Sequence, residues 1–378
     1  MLLIRNSIII FCILLFYSTP SHSIKMDSDY AFLVDYKTDQ ILFEKNSETK
    51  IFPASMSKLM TLYVLFDYLD KGVVSMSDEF IISENAWRKG GAMSDSSTMF
   101  AEVSSYISIE NLIRGIIIQS GNDACIAVAE GLSGSEDLFA LEMNFLAKQL
   151  GMNQSNFKNS TGLHHDEHYT SPKDLVILSR ALIKNFYEYY HFFSEESFTW
   201  NNIFQSNRNN LLRENIGVDG LKTGKTNESG FSMIVSSVNN NTRLIGVVGG
   251  LSSKDKRAYE MRKLINFGHK AFKRSLIFKK NEVIDKVDVW GGNQSSVNLT
   301  ISKDISLLLD IRGRRFLNAR YSFKEPIIAP IKKGDSIGKI IILNDNNIII
   351  ETNLISNKDI GVNNVLGKAI GAARYLIN

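Results

Sequence analysis

From Leu59 to Phe66 the chain reads LMTLYVLF, apolar at every position but Thr61. A helix built from these residues has no polar face to turn to water, so it lies inside the protein. The chain can enclose it: 378 residues make about two domains, and 44% hydrophobic with 22% charged residues is ordinary for a folded protein. What stands at the mouth of this helix is FPASMSK, with Ser55 and Lys58 three residues apart behind Pro53. The same Ser-x-x-Lys spacing recurs at Ser47/Lys50, Ser155/Lys158, Ser253/Lys256 and Ser336/Lys339. None of those opens a comparable apolar run, and context separates the first pair from its lookalikes.

The N-terminus reads as a leader outside the fold. Arg5 precedes the apolar run Ile8 to Tyr17, which is short for a bilayer span. Pro20 breaks it, and Ser21 and Ser23 supply small residues for a cut after Ser23. This is the pattern of a secretory signal peptide over residues 1–23. Cys12 falls within it and leaves Cys125 alone, so no internal disulfide is expected. An exported chain with a real core can do without one, which fits a bacterial exported enzyme better than a small secreted module. The net charge of +3 is too balanced for a nucleic-acid binder, and no phosphate- or dinucleotide-binding glycine pattern is present.

Residues 30 to 44 read as a hairpin around Lys37-Thr38-Asp39. Helical patterns follow at 58 onward, at 108–132 in two pieces broken at Ser120-Gly121-Asn122, and near 137–149 and 171–184. Residues 216 to 250 switch to strand period, with a turn at Asn239-Asn240-Asn241, and helix resumes over about 257–272. This order gives an α+β domain over 24–276, an antiparallel sheet flanked by helices. Beyond it, VNLTISKDISLLLDI and KIIILNDNNIIIETNL are strand-like around a turn at Asn344 to Asn347. Residues 277–362 are therefore expected to form a smaller all-β, sandwich-like domain. Residues 363–378 are expected to form an amphipathic helix, with Val365, Leu366, Ala369, Ile370, Ala373, Leu376 and Ile377 on one face, suited to the surface of the inner membrane or to the β domain.

A serine hydroxyl needs a base before it can attack, and a lysine serves only if its pKa falls. Burial lowers it, and so does a second cation nearby. A serine–lysine site therefore asks for another lysine, a relaying hydroxyl and amide donors for the developing oxyanion. Lys222-Thr223-Gly224 precedes the Gly230 hairpin, and a glycine there leaves a strand edge open to a substrate backbone. Ser120-Gly121-Asn122 offers a hydroxyl and an amide between two helices.

Ser-x-x-Lys, Ser-x-Asn and Lys-Thr-Gly, in that order, are the set of penicillin-binding proteins and β-lactamases. With GLKTGKTNESGFSMIVSS, RNNLL, FKNSTGL and the C-terminal β region, the chain resembles the D-alanyl-D-alanine carboxypeptidases of the low-molecular-weight penicillin-binding class over about 30–370. The resemblance implies a β-lactamase/transpeptidase-like catalytic domain with Ser55 as acyl-ester nucleophile and Lys58 as proton acceptor. Ser120 would relay a proton to the leaving D-alanine, Asn122 hold the substrate amide, Lys222 supply positive charge and Thr223 bind the terminal carboxylate. The oxyanion hole would be the backbone N–H groups of Ser55 and Lys225. Arg208 and Arg257 match arginines near the site, Arg257 by spacing alone, and Lys225 stands where a histidine is common.

The implied substrate is the peptidoglycan pentapeptide stem, with β-lactams as acylating inhibitors, no cofactor, no metal and no nucleic acid. His164-His165-x-x-His168 has irregular spacing for a metal and reads as a solvated loop; Cys125 reads as core. A β-lactamase is the nearest alternative, but no Glu-x-x-Leu-Asn lies between Asn122 and Lys222, and the second motif has Gly121 where Ser-Asp-Asn would have an acid. An endopeptidase and a non-catalytic wall-binding module are the others.

Overall fold

The computed structural model describes residues 9–12, 24–227, 229–310, 317–344 and 347–363. Apart from Ile9–Cys12 and Asn363, the expected signal peptide and the C-terminal amphipathic segment lie outside the described residues. Two compact units are present: Ile24–Lys270, and the chain from Ala271 on together with the N-terminal strand.

The first unit is built on an antiparallel five-stranded sheet. Its strands are β1 (Tyr30–Asp35), β2 (Ile41–Lys45), β3 (Val218–Thr226), β4 (Gly230–Asn239) and β5 (Thr242–Leu251), in the order β2-β1-β5-β4-β3. The first hairpin is the one expected around Lys37-Thr38-Asp39. Asn240 and Asn241, at φ 46° and 58°, make the β4–β5 turn, a two-residue hairpin in which both central residues need positive φ. The helices are α1 (Lys58–Asp70), α2 (Glu84–Gly90), α3 (Ile109–Arg114), α4 (Asn122–Ser133), α5 (Glu136–Leu150), α6 (Pro172–Asn185) and α7 (Lys254–Ala271).

Every side chain from Lys58 to Phe66 is buried, as the all-apolar run requires. Helix α1 packs against α4, α5 and α6. Each fully buried Leu or Phe contributes about 1.5–3 kcal/mol, so α1 is held by its surroundings rather than by helix propensity. The segment 108–132 is more elaborate than two helices and a break. After α3 the chain widens into a π-helical turn, Gly115–Gln119, and Ser120 ends it in the left-handed region at φ 59° and ψ 33°. α4 then starts at Asn122. Gly115 lets this turn close on Met99, whose sulfur would lie 2.6 Å from an added Cβ.

In the second unit the strands run in the order Leu317–Phe323, Ser336–Asn344, Asn347–Ser356, Ser296–Ile301, Val283–Trp290, Ile327–Ile328. Phe272–Phe278 pairs separately with Ile305–Asp310. Val297, Leu299, Ile301, Leu307, Ile340, Ile342 and Leu354 form the core. Ile9–Cys12 lies antiparallel along Leu317–Phe323; an apolar tetrapeptide finds partners in the free N–H and C=O groups of a sheet edge. Among the described residues no helix is long and apolar enough to cross a membrane.

Candidate active site

Ser55 sits in a single 3-10 turn, Ala54–Ser57, that feeds into α1. Ala54 enters it at φ 51°, a left-handed conformation that is strained for a residue with a Cβ. Neither the turn nor α1 is capped by a side chain, so Ser55 is not an ordinary helix cap. Its Oγ instead accepts a hydrogen bond from Lys58 Nζ at 3.1 Å. Lys58, fully buried, also donates to Asn122 Oδ1 at 2.7 Å and to the Thr161 carbonyl at 2.5 Å.

These three partners account for all three hydrogens of an ammonium. Two of them, an amide oxygen and a carbonyl, can only accept. When Lys58 loses a proton it keeps those two bonds, and its lone pair is left facing the one partner with a hydrogen to give, the Ser55 hydroxyl. The packing thus aims the free base at the nucleophile.

Burial, with a smaller contribution from the Arg208 guanidinium, pulls the Lys58 amine down to about 8. Lys222, buried as well, is pushed well below its ordinary value by burial, by Lys58 and by Arg208. The crowding expected between the two amines therefore acts on Lys222. The hydrogen bonds explain why: Lys58 has three acceptors for its charge, whereas Lys222 Nζ donates to Ser120 Oγ at 2.9 Å.

Ser120 is brought under Lys222 by its left-handed backbone and is fully buried. Gly121 follows because an added Cβ would come 2.7 Å from Asp123 Oδ1 and 3.0 Å from the Met99 nitrogen. Asn122 is held at both ends: Oδ1 by Lys58, Nδ2 by donation to Ser96 Oγ at 3.1 Å. Its backbone N–H donates to the Ser97 carbonyl at 2.7 Å. Asp123, which sequence reading passed over, fixes the segment that carries those two serines. Its buried carboxylate accepts from Thr98 Oγ1 (2.6 Å) and from the N–H groups of Met99 (3.0 Å), Ala101 (3.2 Å) and Ala124 (3.0 Å).

Above these groups opens a cleft of about 760 Å³, lined in part by Ser55, Ser96, Asn122, Arg208, Thr223 and Lys225. Strand β3 is the edge of its sheet and packs against the Ser55 turn. An edge strand keeps alternate backbone groups free, so an extended peptide can add along it. Gly224 lies on this edge, but the close approach it permits is made by the protein itself: an added Cβ would be 3.0 Å from the Pro53 carbonyl.

Arg208 Nη1 donates to Ser97 Oγ at 2.6 Å. Arg257 Nη2 reaches the Arg208 carbonyl at 3.4 Å, its Nε is buried without a partner, and burial with Arg208 lowers it to about 10. Arg257, placed by spacing alone, thus does come to the cleft. Lys225 extends over the Phe231 ring, 5.4 Å from its centroid. Arg208, Arg257, Lys225 and Lys254 share the lining with one carboxylate, Asp95. Such an excess of cations suits an anionic ligand.

Two features lay outside the sequence signals. Thr161 acts through its carbonyl, which no side-chain pattern reveals. It is carried in by Gly162 at φ 79°, where an added Cβ would meet the Ala54 oxygen at 1.9 Å. His168 is not solvated as expected but buried at 2% exposure. Its Nδ1 accepts from the Lys158 N–H at 3.3 Å, so Nε2 carries the hydrogen and donates to Ser57 Oγ at 2.8 Å. His164 is exposed at the cleft, against Phe52. Among the described residues no group of three or more His, Cys, Asp or Glu side chains could hold a metal. Cys125 is buried, and burial raises its thiol to about 12.

A family model for D-alanyl-D-alanine carboxypeptidase matches residues 17–253, and one for the penicillin-binding protein 5 C-terminal domain matches 272–361. The chain is 34% identical to the D-alanyl-D-alanine carboxypeptidase DacF of Bacillus subtilis over 87% of this chain and 85% of the relative. Penicillin-binding protein 5 from Haemophilus influenzae superposes with a TM-score of 0.81 at 33% identity, covering 90% of this chain and 100% of that one. Penicillin-binding protein D2 from Listeria monocytogenes, solved in its ampicillin-bound form, is 27% identical with a TM-score of 0.59, covering 66% of this chain and 100% of that one. With these matches over the Ser55–Lys58 cleft and the β unit alike, the chain belongs to the D-alanyl-D-alanine carboxypeptidase family of penicillin-binding proteins.

Proposed function

We propose that this chain removes the terminal D-alanine from peptidoglycan pentapeptide stems in the periplasm, through an acyl-enzyme on Ser55. The observation that carries the assignment is the 3.1 Å contact between Ser55 Oγ and a buried lysine whose other partners can only accept. The stem adds along the open edge of β3. Its terminal carboxylate is met by Thr223, Arg208 and Arg257 and supports a proton on Lys222. That restored charge disfavours the ammonium of Lys58, so substrate binding itself promotes the free base.

Lys58 takes the Ser55 proton as Oγ bonds to the carbonyl carbon of the penultimate residue. The backbone N–H groups of Ser55 and Lys225 receive the oxyanion. Ser120 relays to the departing amine the proton that Lys58 took from Ser55, so D-alanine leaves and Lys58 is a free base again. Water then adds to the ester as Lys58 takes its proton, and Lys58 returns that proton to Ser55 Oγ, which is released as a hydroxyl.

β-Lactams enter the same course, since their strained amide presents the same carbonyl. No Glu-x-x-Leu-Asn lies between Asn122 and Lys222 to activate a water, so the penicilloyl ester is expected to persist, unlike that of a β-lactamase. Mass spectrometry after incubation with penicillin, and separately with a diacetylated Lys-D-Ala-D-Ala peptide, tests this. The expected results are a long-lived adduct on Ser55 and release of one D-alanine. Labelling that survives Ser55→Ala overturns the assignment.

A further inference from the structure

Helix α5 carries an apolar stripe that is left uncovered among the described residues. Leu138, Leu141 and Phe145 are 56%, 67% and 61% exposed, at the i, i+3, i+7 spacing that sets them on one face. Phe139, Ala140, Met143 and Ala147 hold the helix to the core from its other side. A single exposed leucine needs no explanation; three large side chains in register do. The catalytic reading uses none of them.

The charges around the stripe say what covers it. Asp137 flanks its N-terminal end and Lys148 its C-terminal end, both exposed and neither side chain bonded among the described residues. The two are separated by about three helical turns, so they lie along one edge of the stripe. We infer that this face is an interface with a second copy of the same chain, formed by antiparallel packing of two α5 helices about a two-fold axis.

Such an axis sets each edge of the helix against the same edge of its partner, reversed. Asp137 of one copy then meets Lys148 of the other, and the pair occurs twice. Leu138 faces Phe145 of the other copy, and Leu141 lies near the axis. Glu142, which would face its own equivalent, is turned away onto the hydroxyls of Tyr68 and Ser133, each at 3.2 Å. A lipid surface would instead favour cations along the whole stripe. One anion and one cation at opposite ends match a partner bearing the same pattern.

The test is oxidative cross-linking of the full-length chain carrying Leu141→Cys together with Cys12→Ser, the native Cys125 being buried. Covalent dimer is expected to form about tenfold faster than from Tyr259→Cys, an exposed position on α7, by the proximity argument. Asp137→Lys and Lys148→Asp should each slow it, and the two together should restore it. Cross-linking no faster than at position 259, or a double reversal as slow as the singles, overturns the proposal. So does release of the chain from phosphatidylglycerol vesicles by Leu141→Asp with cross-linking through an added cysteine at Leu138 unchanged.

Discussion

Burial among acceptors that do not carry a full charge pulls the Lys58 amine down to about 8. The reactive form is the free amine, so acylation by penicillin should rise with pH through about 8 and flatten above it. Stopped-flow acylation rates between about pH 6 and pH 10 check this; a flat profile removes Lys58 as the base. The neighbouring His168 makes a separate prediction about stability. Burial holds its imidazole at about 4 in the folded protein, whereas an unfolded histidine takes a proton near 6.5. Because the folded value is the lower one, this contribution is complete above about pH 6.5 and is lost as pH falls toward about 4. The whole window is worth roughly 3 kcal/mol. Urea denaturation at about pH 7 and pH 5 should show His168→Gln losing about 2 kcal/mol less than the native protein over that step. Equal losses would mean that the ring is solvated after all.

At the scale of elements, the site depends on how the wall before Ala101 is clasped to the start of α4. Asp123 supplies the clasp, and the wall in turn orients Asn122 toward Lys58. Asp123→Asn places an amide N–H against backbone N–H donors that need an acceptor. It should cost about 2–3 kcal/mol and slow penicillin acylation about tenfold; acylation at the native rate would separate the clasp from catalysis. Gly162→Ala drives a methyl into the Ala54 carbonyl just before Ser55 and should abolish acylation even where folding survives. The elements themselves were legible. Periodicity located α1, α5, α6 and the β4–β5 hairpin, because burial on one face or all faces leaves a pattern in side chains. The three motifs located Ser55, Lys58, Ser120, Asn122 and Lys222. Backbone groups leave no such pattern, so the Thr161 carbonyl and the left-handed turns at Ala54 and Ser120 stayed hidden. Asp123 reads as an ordinary acid in the first turn of a helix, and only the folded path of residues 96–101 shows what it binds.

For the whole molecule, the question is whether the two units need each other to fold and react. Each has its own core: the cluster around Leu59, Ile116, Ile126 and Val247 belongs to the first, the cluster around Leu299, Ile340 and Leu354 to the second. Every group proposed to act on the stem lies in Ile24–Lys270, a chain length at which one hydrophobic core is self-sufficient. Residues 24–270 expressed alone should therefore fold and be acylated by penicillin at close to the full-length rate. The all-β unit then serves something other than the bond-breaking step. Calorimetry of the full chain should accordingly show two transitions, with penicillin raising the midpoint of one of them, since a ligand stabilises the unit it binds. A single transition shifted as a whole, together with an inactive 24–270 fragment, would mean that the β unit completes the fold of the catalytic one.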